Sequence, residues 1–290
     1  MRLARDWGLV GRMALTGLLL LVVYLVFAVV IVEVLGGGPI FLLLVLGGLS
    51  FVQYFYSDKL ALRSMNAREV SESEYPALHA SVTRLSQQVD LPKPRVAVAD
   101  TDVPNAFAAG RNQRHAVVCV TAGLLDTLEQ DELDGVIAHE LAHIEHRDVA
   151  VMTIASFFST IAFMIVRWGW WFGGGRNRNS APIWVAILVS LVVWVVSFFL
   201  IRALSRYREY AADRGAAAIT GRPSALASAL MKISGNMDRV PEEDLREQAE
   251  MNAFFIIPIG KGVISSLART HPPTEKRIEQ LRELERSAEA

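Results

Sequence analysis

A run of five residues, His139-Glu140-Leu141-Ala142-His143, holds the residue types and spacing of a hydrolytic metal centre. On a helix, residues four apart lie one above the other, so both imidazoles can reach one ion. Glu140, beside the first histidine, then sits where its carboxylate can take a proton from water that the metal activates. The pattern is short enough to occur by chance, so the elements that carry it have to be weighed with it.

From Gln130 to Ile144 the apolar residues Leu133, Val136, Ile137 and Leu141 recur at three- and four-residue spacing, which predicts an amphipathic helix. Asp131, Glu132 and Asp134 crowd its first turns, where the helix dipole favours acids. Catalytic zinc usually takes three protein ligands and keeps a fourth position for water. His146 lies about 10 Å along the axis from His139 and cannot join both other histidines on a straight helix. The longer His-Glu-x-x-His-x-x-Gly-x-x-His pattern is absent, with His146 in its glycine position and Val149 in its last histidine position. His146 is read as a polar residue near the site. Further on, Glu209 and Asp213 are four apart and share a helix face. Glu209 is the candidate third ligand, and Asp213 would accept a hydrogen bond from a ligand histidine and fix its tautomer. The competing reading is a solvated acidic face paired with Arg206 and Arg208.

The arrangement of apolar segments favours the ligand reading. Met13 to Val32, Pro39 to Tyr56, Val149 to Phe172 and Ala181 to Ile201 are each long and apolar enough to span a bilayer. Arg167 can snorkel from the end of the third, where Trp168, Trp170, Trp171 and Phe172 form an aromatic belt. Gly173 to Ser180 makes a tight turn before Pro182 opens the fourth span. From Gly175, His143 is 32 residues back and Glu209 is 34 forward. If both helices leave the membrane unbroken, the two residues stand at nearly one height, roughly 10 Å beyond the hydrocarbon edge. No secretory signal peptide is expected, because the first span is too long and no small-residue cleavage pattern follows it.

Arg2, Arg5 and Arg12 before the first span, Lys59, Arg63 and Arg68 after the second, Arg147 before the third and Arg202, Arg206 and Arg208 after the fourth put both termini and the metal site in the cytosol. Arg176 and Arg178 point the other way and are outnumbered. The 290 residues are 52% hydrophobic with a formal net charge of −1, which suits a membrane protein with one modest soluble domain and gives no sign of nucleic-acid binding. Cys119, the single cysteine, lies in an apolar run and is read as a reduced core residue.

The soluble part is split by the second membrane hairpin. The divisions are residues 1–57, an N-terminal hairpin; 58–148, the first protease part with the histidine helix; 149–202, the second hairpin; and 203–290, the second protease part with Glu209. Tyr75 to Val89 reads as a helix, and Arg95 to Ala99 and Ala116 to Val120 as strands. Between the strands, Pro104 to Gly110 is extended; a strand beside a metalloprotease site commonly holds peptide by backbone pairing. Asn105 and Phe107 are equally well read as ordinary strand and turn. Ser224 to Ile233 and Thr274 to Glu285 read as helices, with Pro241 to Glu250 an acidic connector.

Together, His139 to His143, Ser205-Arg206 with Glu209 and Asp213, Asn105-Ala106-Phe107-Ala108 and Thr270-His271-Pro272-Pro273-Thr274 resemble the HtpX-type membrane zinc metalloproteases, bacterial relatives of the CAAX prenyl endopeptidases. The resemblance runs from about Tyr75 to Leu284. It implies that His139, His143 and Glu209 bind one zinc ion per chain, that Glu140 is the catalytic base, and that Asn105, Ala106, Phe107 and Ala108 pair with substrate. Four membrane segments, fewer than the CAAX enzymes have, favour the HtpX branch.

The expected fold is therefore an α-helical membrane protein with four transmembrane helices and a mainly α, α+β cytosolic zincin-type domain carrying a small sheet. The expected function is zinc-dependent endopeptidase action on misfolded or damaged membrane proteins, in stress response and quality control at the bacterial cytoplasmic membrane. Expected partners are membrane-protein or unfolded polypeptide substrates and the lipid bilayer; the oligomeric state is left open. His271 is a candidate second donor to the carbonyl oxygen as charge develops on it, or merely introduces the last helix. A processing protease for specific or lipidated peptides, and a non-catalytic membrane adaptor, remain as alternatives.

Overall fold

The computed structural model describes residues 6–35, 38–172, 183–237 and 272–289. In chain order the elements are α1 (Trp7–Leu35), α2 (Gly38–Phe55), α3 (Ser57–Ser64), β1 (Ala67–Glu69), α4 (Pro76–Gln88), β2 (Arg95–Ala99), β3 (Ala106–Ala109), β4 (Val117–Thr121), α5 (Ala122–Thr127), α6 (Gln130–Glu145), α7 (Asp148–Phe172), α8 (Ile183–Thr220), α9 (Pro223–Met237) and α10 (Thr274–Glu289). The chain divides into two compact units: Met1–Asp6, Phe55–Val149 and Arg206–Ala290 form one, Trp7–Tyr54 and Ala150–Ser205 the other. The glycine-rich turn before Pro182, the acidic connector and His271 lie outside the described residues.

The second unit is helical. Leu20, Tyr24, Phe27 and Ile31 of α1 pack with Ala155, Ile161, Ala162 and Ile165 of α7 and with Ala186 and Val193 of α8. The Tyr24 hydroxyl donates to the Ala155 carbonyl at 2.5 Å, giving a buried polar tip its partner. Leu18, Leu21, Leu25 and Val29 of α1 point outward and stay exposed, as lipid contact requires and water does not favour. Among the described residues, three helical stretches, Trp7–Glu33, Asp148–Gly169 and Trp184–Thr220, are long and apolar enough to cross a membrane. Over the predicted second span, α2 is helical for 18 residues.

The first unit is built around α6. A capping box opens that helix: the Glu129 side chain accepts from the N3 backbone, and the Glu129 backbone donates to the Glu132 carboxylate at 2.9 Å. One apolar side of α6 then meets a four-stranded sheet ordered β1-β2-β4-β3. β2 and β4 are parallel, with Arg95 opposite Val117; β3 is antiparallel to β4, with Ala106 opposite Val120. Alternation sends Val96, Val98, Val118 and Val120 toward Val136, Ile137 and Leu141 of α6, with Leu226, Leu230 and Ile233 of α9 and Leu281 of α10 in the same core. On the opposite face Ala97, Val117, Cys119 and Phe107 pack with Ala61, Leu62 and Met65 of α3. Burial on both faces explains why β4 reads as a continuous apolar run. Burial also pushes the Cys119 thiol up to about 12, so it is an inert core residue.

One expectation needs correction. The histidine helix does not run unbroken into the third span: α6 ends at Glu145, His146 caps it, and Arg147 takes φ +56° before α7 starts at Asp148. A left-handed residue ends the hydrogen-bond ladder of a right-handed helix. The other arm is continuous, since α8 runs 38 residues through Glu209 and Asp213.

Candidate metal centre

α6 and α8 bring the side chains together. His139 Nε2 lies 3.1 Å from His143 Nε2 and 3.6 Å from Glu209 Oε2, and His143 Nε2 lies 3.5 Å from Glu209 Oε1. His139, His143 and Glu209 are a group whose ligand atoms all lie within 4.8 Å of one another. Tetrahedral zinc with bonds of about 2.0–2.1 Å separates neighbouring ligand atoms by roughly 3.3–3.4 Å, so these spacings fit such an ion. Glu140 is buried beside them, 4% exposed.

Each histidine has its own carboxylate. His139 Nδ1 lies 3.0 Å from Asp213 Oδ1, and His143 Nδ1 lies 2.7 Å from Asp148 Oδ2. Each carboxylate in turn has an arginine. Arg277 of α10, 1% exposed, donates from Nε to Asp213 Oδ2 at 2.9 Å and from Nη2 to Oδ1 at 2.7 Å. Its Nη1 stands 3.4 Å from Glu209 Oε2. Arg208 forms an ion pair with Asp148.

The electrostatics have one consistent account. Burial pushes the His139 imidazole down, but its hydrogen bonds to Asp213 and Glu209 lift it to about 9. Burial and the neighbouring His139 charge push His143 down. Burial opposes ionisation of Asp213, and Arg277 with His139 outweighs that, holding its pKa low. The carboxylates Glu140, Asp148, Glu209 and Asp213 outnumber the guanidiniums Arg208 and Arg277 in this largely buried cluster, an excess of negative charge that suits a cation.

A sequence profile for peptidase family M48 matches residues 72–285. Protease HtpX homolog 2 of Methanosarcina mazei is 56% identical over 285 residues, covering 97% of this chain and 97% of that one. The chain belongs to the HtpX proteases of peptidase family M48. The Protease HtpX homolog of Moorella thermoacetica is 52% identical, covering 99% of this chain and 98% of that one. Among solved structures, Ste24p of S. mikatae is similar at 17% identity and a TM-score of 0.48, covering 90% of this chain and 66% of that one. This HtpX protease is thus a membrane metalloendopeptidase with relatives in archaea as well as bacteria.

In the HtpX protease the Asn105–Ala108 segment is placed in and just before β3, the end strand of the sheet. The Asn105 backbone is bound to Thr121: its N–H donates to Oγ1 at 2.9 Å and its carbonyl accepts from the Thr121 N–H at 2.9 Å. Phe107 is buried in the core beneath α3, and Ala108 is half-buried. Sequence reasoning missed Asp148 and Arg277. Arg277 had a signal, since it lies four residues before Leu281 and seven before Leu284, on the apolar side of α10.

Close helix packing holds the two ligand-bearing helices in register. A Cβ added at Gly215 of α8 would stand 2.7 Å from the Ala142 Cβ of α6, next to His143. Gly215→Val should overpack this contact by about 1–3 kcal/mol and reduce bound metal. Calorimetry with metal analysis checks it; wild-type melting and metal content would show that the helices separate freely.

Proposed function

We propose that the protein is a zinc-dependent endopeptidase of membrane protein quality control, hydrolysing misfolded or damaged membrane proteins. The observation that carries this reading is the convergence of His139, His143 and Glu209, with ligand atoms 3.1 to 3.6 Å apart, beside the buried Glu140. Two imidazoles and a carboxylate suit zinc, one ion per chain. Held by His139, His143 and Glu209, zinc would supply Lewis-acid chemistry, lowering the pKa of water toward about 7 and polarising the scissile carbonyl. Glu140 takes the proton of the attacking water and returns it to the departing amine. Asp213 holds His139 in one tautomer, with Arg277 fixing Asp213. Ala106 to Ala108, with Asn105 before them, present the end strand of the sheet, where a peptide can add as a further strand. His271 is proposed as the second donor to the carbonyl oxygen, the alternative being that it only introduces α10.

The proposed topology is four spans, α2 being the fourth apolar helix, in the cytoplasmic membrane with both termini and the metal centre cytosolic. The functional divisions follow residues 1–57, 58–148, 149–202 and 203–290. The test is to purify the full chain in detergent under chelator and restore zinc. An unfolded membrane protein and a prenylated peptide are then compared as substrates. Zinc-dependent cleavage of the unfolded protein is expected. Selective cleavage of the prenylated peptide would make this a processing enzyme, and zinc binding without hydrolysis would make it an adaptor.

A further inference from the structure

His143 is held at a break in the chain. Asp148 lies five residues after it, and on an uninterrupted helix that offset turns a side chain about 140° away, onto another face. Arg147 at φ +56° ends α6 and redirects the backbone, and this lets Asp148 Oδ2 come within 2.7 Å of His143 Nδ1. The carboxylate can only accept there, so Nδ1 carries the hydrogen and the Nε2 lone pair is left facing His139 and Glu209. Asp148 is in turn paired with Arg208, which is 6% exposed and immediately precedes Glu209. Arg208 Nη2 also donates to the His146 carbonyl at 3.2 Å, so one guanidinium grips both sides of the break.

We propose that Asp148 and Arg208 are positioning residues for the metal centre, fixing the tautomer and orientation of His143 across the junction where α6 ends and α7 begins. The inference rests on the metal-centre reading. It gives the two histidines separate supports: His139 is set by Asp213 and Arg277, His143 by the first residue of α7 and by α8. α7 opens with Asp148 itself and is long and apolar enough to cross a membrane. Whatever moves the start of that helix therefore moves a ligand.

The test measures the zinc dissociation constant of the full chain in detergent by competition with a chromogenic chelator, with thermal melting of each variant. Asp148→Ala should weaken zinc about 10- to 100-fold, the usual cost of losing such a partner. Asp148→Asn should recover part of this, because its amide oxygen still accepts from Nδ1. Arg208→Met, which leaves Asp148 in place but unanchored, should weaken zinc by a smaller factor and serves if Asp148→Ala does not fold. Arg222→Ala, removing an exposed 2.6 Å ion pair to Asp131, should bind as wild type. Wild-type affinity in folded Asp148→Ala, or in Arg208→Met, would overturn the positioning role alone. No zinc binding by the wild-type chain would overturn the metal-centre reading and this inference with it.

Discussion

Glu140→Gln should retain one metal ion per chain and lose peptide hydrolysis by a factor on the order of 10²–10⁴, the usual weight of a general base. Metal retention is expected because Glu140 is not among the converging ligand atoms, which come from His139, His143 and Glu209. The amide fills the same buried volume, so the fold should survive. What it cannot do is accept a proton from the attacking water or return one to the departing amine. The loss should fall on kcat with little change in KM, as expected when the missing interaction acts only in the transition state. Metal analysis beside steady-state cleavage of an unfolded protein decides it. Equal cleavage by wild type and variant would place the base elsewhere.

The residues that carry this prediction were legible because helix geometry made them so. Leu133, Val136, Ile137 and Leu141 mark one apolar side of α6, and the His139–His143 spacing then follows without any tertiary information. β2 and β4 were readable as short β-branched runs, and they form at nearly the expected bounds. β1 spans three residues and α3 eight, too short for periodicity to stand out. Asp148 was not legible for a different reason. Its contact depends on Arg147 being left-handed, a conformation that glycine or asparagine would have advertised and arginine does not. Counting from a common turn put Glu209 and His143 level, yet that count assumed two unbroken arms and only α8 is unbroken. The packing of Gly215 on Ala142 within the first unit is a constraint the count could not contain. Long-range partners are fixed by packing, and a single sequence does not print packing.

Arg277 shows the energetic cost of that hidden layer. It is fully buried, and both oxygens of Asp213 accept its hydrogen bonds, at 2.9 and 2.7 Å. Arg277→Met removes the cation and leaves Asp213 ionised or protonated in a dry site beside Glu209. Breaking one side of a buried pair costs about 3–5 kcal/mol, so the variant should melt well below wild type. Metal affinity should fall too, by roughly 10- to 100-fold, because Asp213 loses the fork that aims it at His139 Nδ1. Arg277→Lys should restore only part of either loss, since a point charge cannot reproduce a planar two-bond fork. The decisive comparison is a double-mutant cycle with Asp213→Asn. Once the carboxylate is neutral, Arg277→Met no longer strands a charge, so the double variant should be more stable than the two single losses added together. Strict additivity in melting and in metal affinity would mean that Arg277 acts on Glu209 and the ligand cluster directly, rather than through Asp213.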